Sequence, residues 1–400
     1  MQTQRLSIRG RVFGADDPAI QSVLAQVHHS AERPRCLCVP GGIEMYVSRR
    51  GTFLAKRMPD TGGSHHPGCV SYEPDPASSG PGELLGDALR ESPTGEVELS
   101  VDFPWTRMQG SGRSRRDARS SRAVEEARRR ISLHEVMHFL FERARFNRWT
   151  PAMEGKRNQG VLHKYLTEAA QDVRARGVSL AQRLYVPEPF SEATHSEAVR
   201  RRRARLDVLR PIDGCSPLAL VLGEFKTIDT RGSNHRVWIR HMPDVPLLVA
   251  GKTWRRIEKG FAPLFEARDA GSGGRVRLIM AALIRARREH TYELDAASLM
   301  LTSEHWIPVE GVHELPLVQM LVRQQRRFLK PLRYDARAAS RFANVLLLDA
   351  GAAPIALHVL SPFMTAKERD AKEAAVRSDG RAWVWPADEI VMPALPAPSP

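Results

Sequence analysis

The chain has 400 residues, of which 42% are hydrophobic and 26% are charged. This length exceeds what one compact core ordinarily holds, so the sequence predicts several domains in a protein of globular composition. No apolar run reaches the roughly 18 residues of a membrane-spanning helix. The first residues also lack the apolar core of a signal peptide. We therefore expect a cytoplasmic protein with no membrane partner.

The charge of the chain favours a polyanionic partner. Its 60 basic and 46 acidic residues give a formal net charge of +14, and nucleic acid is the usual polyanion inside cells. The sequence therefore predicts a nucleic-acid partner, with DNA favoured; the alternative is that the charge serves solubility alone. The predicted contact residues lie in two arginine clusters: Arg128, Arg129, Arg130, Arg200, Arg201, Arg202 and Arg203.

The first half of the chain predicts three segments. Residues 1–75 indicate a compact module with a strand, a helix over 19–30 and a hairpin of two strands. Residues 76–122 indicate a connector that contains a strand and ends in a basic linker. Residues 123–199 have helical apolar spacing, with a small hairpin expected at 179–190, which is typical of a helical, winged-helix-like domain.

From residue 200 the pattern changes to short strands, the first of them expected in the segment ARLDVLRP. Residues 200–390 thus predict a mixed α/β domain, and residues 391–400 a disordered tail rich in proline. The fold class expected for the whole chain is a mixed α/β or α+β multidomain protein.

Three of the four cysteines lie in the first module, in a pattern typical of a structural zinc site. Cys36 and Cys38 precede the predicted hairpin, and Cys69 follows it in the segment HHPGC. Cysteine and histidine from two short segments supply the four ligands of a tetrahedral ion. Either His65 or His66 has a suitable spacing to be the fourth ligand, and the sequence does not choose between them. The alternative is that the cysteines are reduced, buried and inert.

The segment HEVMH, residues 134–138, matches the HExxH pattern of zinc proteases. Three fixed positions match often by chance, and no recognisable third ligand follows. We therefore expect His134 and His138 to be ordinary residues of a partly buried helix.

A second candidate site lies in the apolar segment LALVLGEFK, which ends in Glu224 and Lys226. Strand alternation predicts that both side chains share one face, with Phe225 opposite. A carboxylate beside a lysine suits magnesium-dependent phosphodiester hydrolysis, in which the acid holds the metal and the lysine acts on water. The second acidic ligand is expected to be Asp207, with Asp213 in reserve. The alternative is a solvated ion pair at the end of a strand.

Several motifs together resemble a known family. In chain order they are RPRCLC, EMYV, KRMPDTG, HHPGCVSYEP, FNRWTPAMEGKR, VLGEFK, EHWIPVE and RRFLKPLRYD. They are similar to the family called domain of unknown function one-one-seven-three, which occurs on bacterial conjugative plasmids and integrative elements and has no established activity. The order of a cysteine/histidine module and a nuclease-like domain also resembles the CoiA-type competence proteins, whose core is restriction-endonuclease-like.

Two functional hypotheses follow. The first is a nucleic-acid-processing protein of a mobile element, with a magnesium-dependent nuclease site at Glu224, Lys226 and Asp207. The second is a non-catalytic, zinc-containing protein that binds nucleic acid or acts as a scaffold. A second carboxylate near Glu224 would favour the nuclease, whereas a buried or lone Glu224 would favour the binding protein.

Overall fold

The computed structural model describes residues 4–14, 16–58, 61–75, 80–84, 86, 88–92, 96–108, 129–231, 234–270, 276–334, 339–389 and 391–399. The chain divides into two compact units. The first unit comprises Met1–Gly82, Gln325–Pro331 and Ser340–Pro400, and the second unit comprises Glu83–Gln324 and Leu332–Ala339. Within the described part of the chain, no helix is both long and apolar enough to cross a membrane.

The helices, in chain order, are α1 (Ile20–His28), α2 (Leu133–Arg143), α3 (Gln159–Ala169), α4 (Leu180–Arg183), α5 (His195–Leu206), α6 (Gly251–Gly260), α7 (Ala262–Ala270), α8 (Leu315–Arg323) and α9 (Ala366–Ser378). The strands are β1 (Arg5–Ile8), β2 (Arg11–Gly14), β3 (Arg35–Cys36), β4 (Ile43–Arg50), β5 (Thr52–Arg57), β6 (Leu89–Glu91), β7 (Val97–Leu99), β8 (Thr106–Met108), β9 (Arg148–Trp149), β10 (Val173–Ala175), β11 (Val178–Ser179), β12 (Leu184–Tyr185), β13 (Cys215–Asp229), β14 (Asn234–Ile239), β15 (Leu247–Ala250), β16 (Val276–Arg288), β17 (Thr291–Ser303), β18 (Pro308–Val309), β19 (Phe328–Leu329), β20 (Val345–Leu347), β21 (Ile355–Leu360) and β22 (Trp383–Pro386). The mixed α/β class predicted from the sequence is confirmed.

The first unit contains two sheets, of order β2-β1-β3-β4-β5 and β22-β21-β20-β19. The predicted N-terminal strand, helix and hairpin correspond to β1, α1 and the antiparallel pair β4–β5. Helix α1 packs on the hairpin, because its apolar residues recur at helical spacing and form one buried stripe. The core of this sheet is small; its fully buried apolar residues are Leu6, Ile8, Ile20, Leu24, Val27, Cys36 and Met45.

The helical part of the second unit packs α2 and α3 near a four-stranded sheet of order β11-β10-β7-β6. Ser132 caps α2 by accepting a hydrogen bond from the backbone N–H of Glu135, and the Glu135 carboxylate accepts the N–H of Ser132 in return. A β-hairpin does occur in this part, but at β10–β11 and not at residues 179–190, which form α4 and β12. The winged-helix and restriction-endonuclease-like architectures are not confirmed.

The largest sheet of the second unit closes on itself. Strand β13 pairs with β16 along residues 218–224 and with β14 along residues 225–229. Strand β14 pairs with β15, β15 runs parallel to β17, and β17 returns antiparallel to β16. The result is a five-stranded barrel of order β13-β14-β15-β17-β16, with α6 and α7 inserted between β15 and β16.

Strand β13 bends at the point where it passes from β16 to β14. A Cβ atom at Gly223 would lie 2.6 Å from Cγ2 of Ile239, so only glycine fits there. Two residues later the register shifts between Phe225 and Thr227, which leaves Lys226 as the extra residue of a β-bulge. These two features let one strand pair with both β16 and β14, as the closed barrel requires.

Two segments differ from the sequence-based expectation in their secondary structure. The predicted strand ARLDVLRP is wrong, because α5 continues to Leu206 and a short 3-10 helix, Asp207–Leu209, follows it. Arginine and alanine are good helix formers. The buried residues Leu206 and Leu209 are three positions apart, which is a helical spacing. The sequence pattern also predicts one helix over residues 254–266, whereas the structure has two helices there, α6 and α7.

The division into units also differs from the predicted boundaries, because the last sixty residues group with the first module and not with residues 200–324. The tail, predicted to be disordered, lies against the first unit. Trp383 Nε1 donates to the carbonyl of Ala394 at 3.0 Å, and Arg326 Nη1 donates to that of Pro396 at 2.7 Å.

Candidate metal centre and barrel face

Cys36, Cys38, His65 and Cys69 lie together in the first unit. Cys36 ends strand β3 and Cys38 follows in a turn, while His65 and Cys69 lie in a loop after β5. Gly62, just before His65, allows this loop to approach the chain closely, because a Cβ atom there would lie 2.8 Å from Cβ of Glu73. One ligand atom from each of the four residues falls within 4.8 Å of the others, so the cluster could hold a metal ion.

The distances within this cluster suit tetrahedral coordination. Sγ of Cys36 lies 3.7 Å from Sγ of Cys69, and Nδ1 of His65 lies 3.2 Å from Sγ of Cys38 and 3.7 Å from Sγ of Cys69. A tetrahedral ion with metal–sulfur bonds of about 2.3 Å separates two thiolates by about 3.8 Å. Cys36 and His65 are almost completely buried, so the four groups line a closed site of the structural type.

The structure distinguishes between the two candidate histidines. His65 directs Nδ1 toward the thiols, whereas Nδ1 of His66 accepts a hydrogen bond from the backbone N–H of Gly68 at 3.1 Å. His65 is therefore the histidine of the cluster that could hold a metal ion, and His66 shapes the turn that leads to Cys69.

The thiols strongly perturb one another. The hydrogen bond from Cys69 lowers the pKa of Cys36 to about 5, and the same hydrogen bond, together with burial, raises the pKa of Cys69. Burial also raises the pKa of Cys38. Without a cation, the three thiols therefore cannot all be ionised near neutral pH. A bound metal ion would replace the shared protons and allow three thiolates to coexist.

Glu224 is held between two arginines. It is 7% exposed; its Oε1 pairs with Nε of Arg240 at 2.9 Å and its Oε2 with Nη1 of Arg277 at 2.9 Å. Arg277 in turn stacks over the ring of Trp306, with its guanidinium carbon 4.1 Å from the ring centroid. Each oxygen of the Glu224 carboxylate thus pairs with one arginine and orients it.

Among the described residues, no hydrogen bond or ion pair joins Glu224 to Asp207, Asp213 or Lys226. Asp207 lies in the 3-10 helix after α5, where it pairs with Arg210 at 2.5 Å, and Asp213 lies in a turn with a φ of 49°. Lys226 is exposed at the bulge of β13, and Phe225 is buried and stacked against Trp254, as predicted. The charged groups that contact Glu224 in the described part of the chain are both cations.

The HExxH segment has a structural role. Glu135 is 2% exposed, caps α2 and pairs with Arg129 at 3.2 Å. Nδ1 of His134 lies 3.3 Å from Oγ of Ser298, and the ring of His138 packs edge-on against Tyr334. This supports the expectation that the two histidines belong to a packed helix.

Three of the six described arginines that were predicted to contact nucleic acid have carboxylate partners in the protein. Arg201 pairs with Glu188 at 2.5 Å and with Glu197 at 3.1 Å, and Arg202 is 3% exposed and pairs with Asp244. Arg129 pairs with Glu135, whereas Arg130, Arg200 and Arg203 are exposed. Arg128 lies outside the described residues.

A different basic surface lies on the outside of the barrel. Along β14, Val237 and Ile239 point into the barrel and are buried, so alternation directs Arg236 and Trp238 outward. Arg236 is exposed, Trp238 is partly exposed, and Arg240 follows directly where Glu224 holds it. Trp238 lies opposite Thr227, next to the exposed Lys226. We call Lys226, Arg236, Trp238 and Arg240 the β14 face; the sequence signal for it was the segment HRVWIRH.

The family model described as a protein of unknown function, DUF1173, matches residues 6–387. The chain therefore belongs to this family, and the resemblance drawn from its motifs is confirmed. No curated protein matches the chain, and no solved structure matches it.

The arrangement of Glu224 predicts the effect of removing its charge. Glu224→Gln should lower the free energy of unfolding by about 1–3 kcal/mol, because a nearly buried carboxylate then no longer pairs with two arginines. Urea denaturation measures this change. Asp207→Asn, at an exposed pair, is the matched control and should change stability by less than about 0.5 kcal/mol. A vacant metal ligand would behave in the opposite way, so a Glu224→Gln protein as stable as the wild type or more so would contradict this role.

Proposed function

We propose that this member of the DUF1173 family is a zinc-containing protein that binds nucleic acid without cleaving it, and that single strands bind on the β14 face. The observation that carries the proposal is that Arg236 and Trp238 face outward on the second strand of a closed barrel, with the half-exposed Arg240 directly after this strand. Bases stack on aromatic side chains whatever their sequence, and neighbouring cations neutralise the phosphates. The net charge of +14 acts in the same direction.

The topology of the barrel supports this assignment. The strand order, the parallel contact of the third and fifth strands and the helical insertion before the fourth strand are those of the five-stranded Greek-key barrels of the OB type. Barrels of that type bind oligonucleotides on their second and third strands. Strands β14 and β15 occupy these places here, which is an analogy at the level of the fold.

The alternative, a magnesium-dependent nuclease, has weaker support. A divalent ion at Glu224 would need a second carboxylate, and it would have to compete with Arg240 and Arg277 for both carboxylate oxygens. Glu224 instead pairs with Arg240, which directly follows β14. We therefore assign the GEFK segment to binding, in agreement with the second of the two sequence-based hypotheses.

Zinc is the proposed ion of the Cys36, Cys38, His65 and Cys69 cluster. Three thiolates and one imidazole in a closed tetrahedral set are typical of structural zinc. The small core around this cluster explains the need for a metal, since short modules with little buried apolar surface are commonly stabilised in this way. A role in the handling of mobile-element DNA, which the family resemblance implies, is compatible with both parts of the proposal.

The zinc assignment predicts about one equivalent of zinc per chain. Cys69→Ser should lose the zinc and destabilise the first unit, because folding and metal binding are coupled. His66→Ala should keep the zinc, since His66 does not face the thiols. Elemental analysis of the purified proteins measures both. Zinc that is retained by Cys69→Ser, or that is absent from the wild type while all thiols react, would contradict the assignment.

The binding assignment predicts that Trp238→Ala raises the Kd for single-stranded DNA about 5- to 150-fold, since stacking contributes about 1–3 kcal/mol per base. Trp238→Phe should keep most of the affinity. Phe363→Ala removes an exposed aromatic residue of the first unit and should have no effect. Fluorescence anisotropy measures the Kd, and the labelled strand should stay intact in magnesium or manganese. No binding at low salt, equal Kd values for Trp238→Ala and the wild type, or metal-dependent cleavage would each contradict the proposal.

A further inference from the structure

We propose that the outer face of helix α6 binds the phosphate backbone of double-stranded DNA. This surface consists of Lys252, Arg255, Arg256 and Lys259, and we call it the α6 face. The inference rests on the proposed function and extends it. If the β14 face binds a single strand and the α6 face binds a duplex, the preferred ligand of the protein is a junction between the two.

The sequence of α6 places its four cations on one side. At 3.6 residues per turn, the four positions fall within an arc of about 100°. The centre of this arc lies about opposite Trp254 and Ile257, which are 3% and 4% exposed and face the barrel. The fifth charged residue, Glu258, lies outside the arc. The helix is therefore apolar toward the protein and cationic toward solvent.

The cations of the α6 face are exposed and available to a ligand. Within the described part of the second unit, none of the four forms an ion pair with a carboxylate. Arg201 and Arg202 of α5 differ in this respect, because carboxylates neutralise both. Four positive charges on about 10 Å of helix repel one another in the free protein, and phosphates would relieve this repulsion.

The chemistry of this surface favours a duplex over a single strand. Phe225, Trp254 and Phe265 pack against one another beneath α6, with ring centroids 5.5–6.0 Å apart. Trp254 and Phe225 are thus buried, so no base could stack on either ring. A surface of cations without exposed aromatic rings binds the phosphates of a nucleic acid and does not contact its bases. An anionic membrane fits less well, because the apolar side of α6 is already covered and cannot insert.

The test compares two variants that each lose four positive charges. The first replaces Lys252, Arg255, Arg256 and Lys259 with glutamine, which keeps the propensity of α6 to be helical. The matched control replaces four exposed basic residues of the first unit with glutamine: Arg341, Lys367, Arg377 and Arg381. Anisotropy titrations at several salt concentrations use blunt duplex DNA, single-stranded DNA and a duplex with a single-stranded tail. Vesicles that contain phosphatidylserine provide the membrane arm.

For the α6 variant, we expect the Kd for duplex DNA at about 100 mM salt to rise on the order of tenfold or more, and the salt slope to fall by up to about 3.6. Its Kd for the single strand should stay within about twofold of the wild type, and it should no longer prefer the tailed duplex. The control variant should behave like the wild type in all three titrations.

Three outcomes would overturn the inference that the α6 face binds duplex DNA. None of them concerns the binding of single-stranded DNA by the wild type, which tests the proposed function separately. They are a wild type that does not bind duplex DNA, equal losses of duplex affinity in both variants, and an α6 variant that loses vesicle binding but keeps duplex binding. Loss of single-strand binding by the wild type would instead overturn the proposed function.

Discussion

Strand β13 is the element on which the second unit depends, because it forms hydrogen bonds with β16 along its first part and with β14 along its second part. A single straight strand cannot serve both partners on a closed barrel. Because Gly223 has no side chain, Ile239 can pack directly against the backbone of β13. The bulge at Lys226 increases the twist of this strand. Glu224 lies between these two features, and its carboxylate joins Arg277 of β16 to Arg240 after β14. The ion pairs therefore connect the two strands that β13 must bridge.

The same geometry accounts for the surface chemistry of the barrel. Glu224 faces the outside of the barrel and pairs with two arginines. Because one negative charge cannot neutralise two positive charges, the surface around Glu224 keeps a net positive charge. Arg240 is about half exposed in spite of its contact with Glu224, so its position is fixed while part of it remains accessible. A preorganised cation loses less conformational freedom when a ligand binds. The position of Arg240 on the proposed binding surface is thus a consequence of how the barrel closes.

The first unit depends on a different constraint. Its sheet around α1 buries few apolar side chains, and Cys69 packs against both that core and a second small cluster formed by Tyr72, Leu329 and Leu348. The four groups that could hold a metal ion therefore lie where residues from both ends of the chain meet. A metal ion at this point would stabilise contacts that neither small core could maintain alone.

Local patterns predicted much of this structure. The grouping of Cys36, Cys38 and Cys69, the hairpin β4–β5, and the buried strand that contains Glu224 all follow from short-range spacing and alternation. The choice between His65 and His66 required the turn geometry around Gly68, which spacing does not encode. The role of Glu224 depends on Arg240 and Arg277, and Arg277 is 53 residues away along the chain. The clusters of arginine at 129 and at 200–203 are dense in the sequence, but Arg129, Arg201 and Arg202 are paired with carboxylates, and the partner of Arg202, Asp244, lies 42 residues away along the chain. Only the three-dimensional structure shows which of these cations are paired.

The most direct test is to identify the residues of the protein that contact a bound single strand. Single-stranded DNA that carries 5-iodouracil forms crosslinks with aromatic rings on which its bases stack, and mass spectrometry of the digested complex identifies the residue. The structure predicts a crosslink to Trp238, in a peptide of β14, that disappears in Trp238→Ala. Crosslinks confined to the first unit, or to aromatic residues away from β14, would contradict the central claim that this barrel face binds nucleic acid.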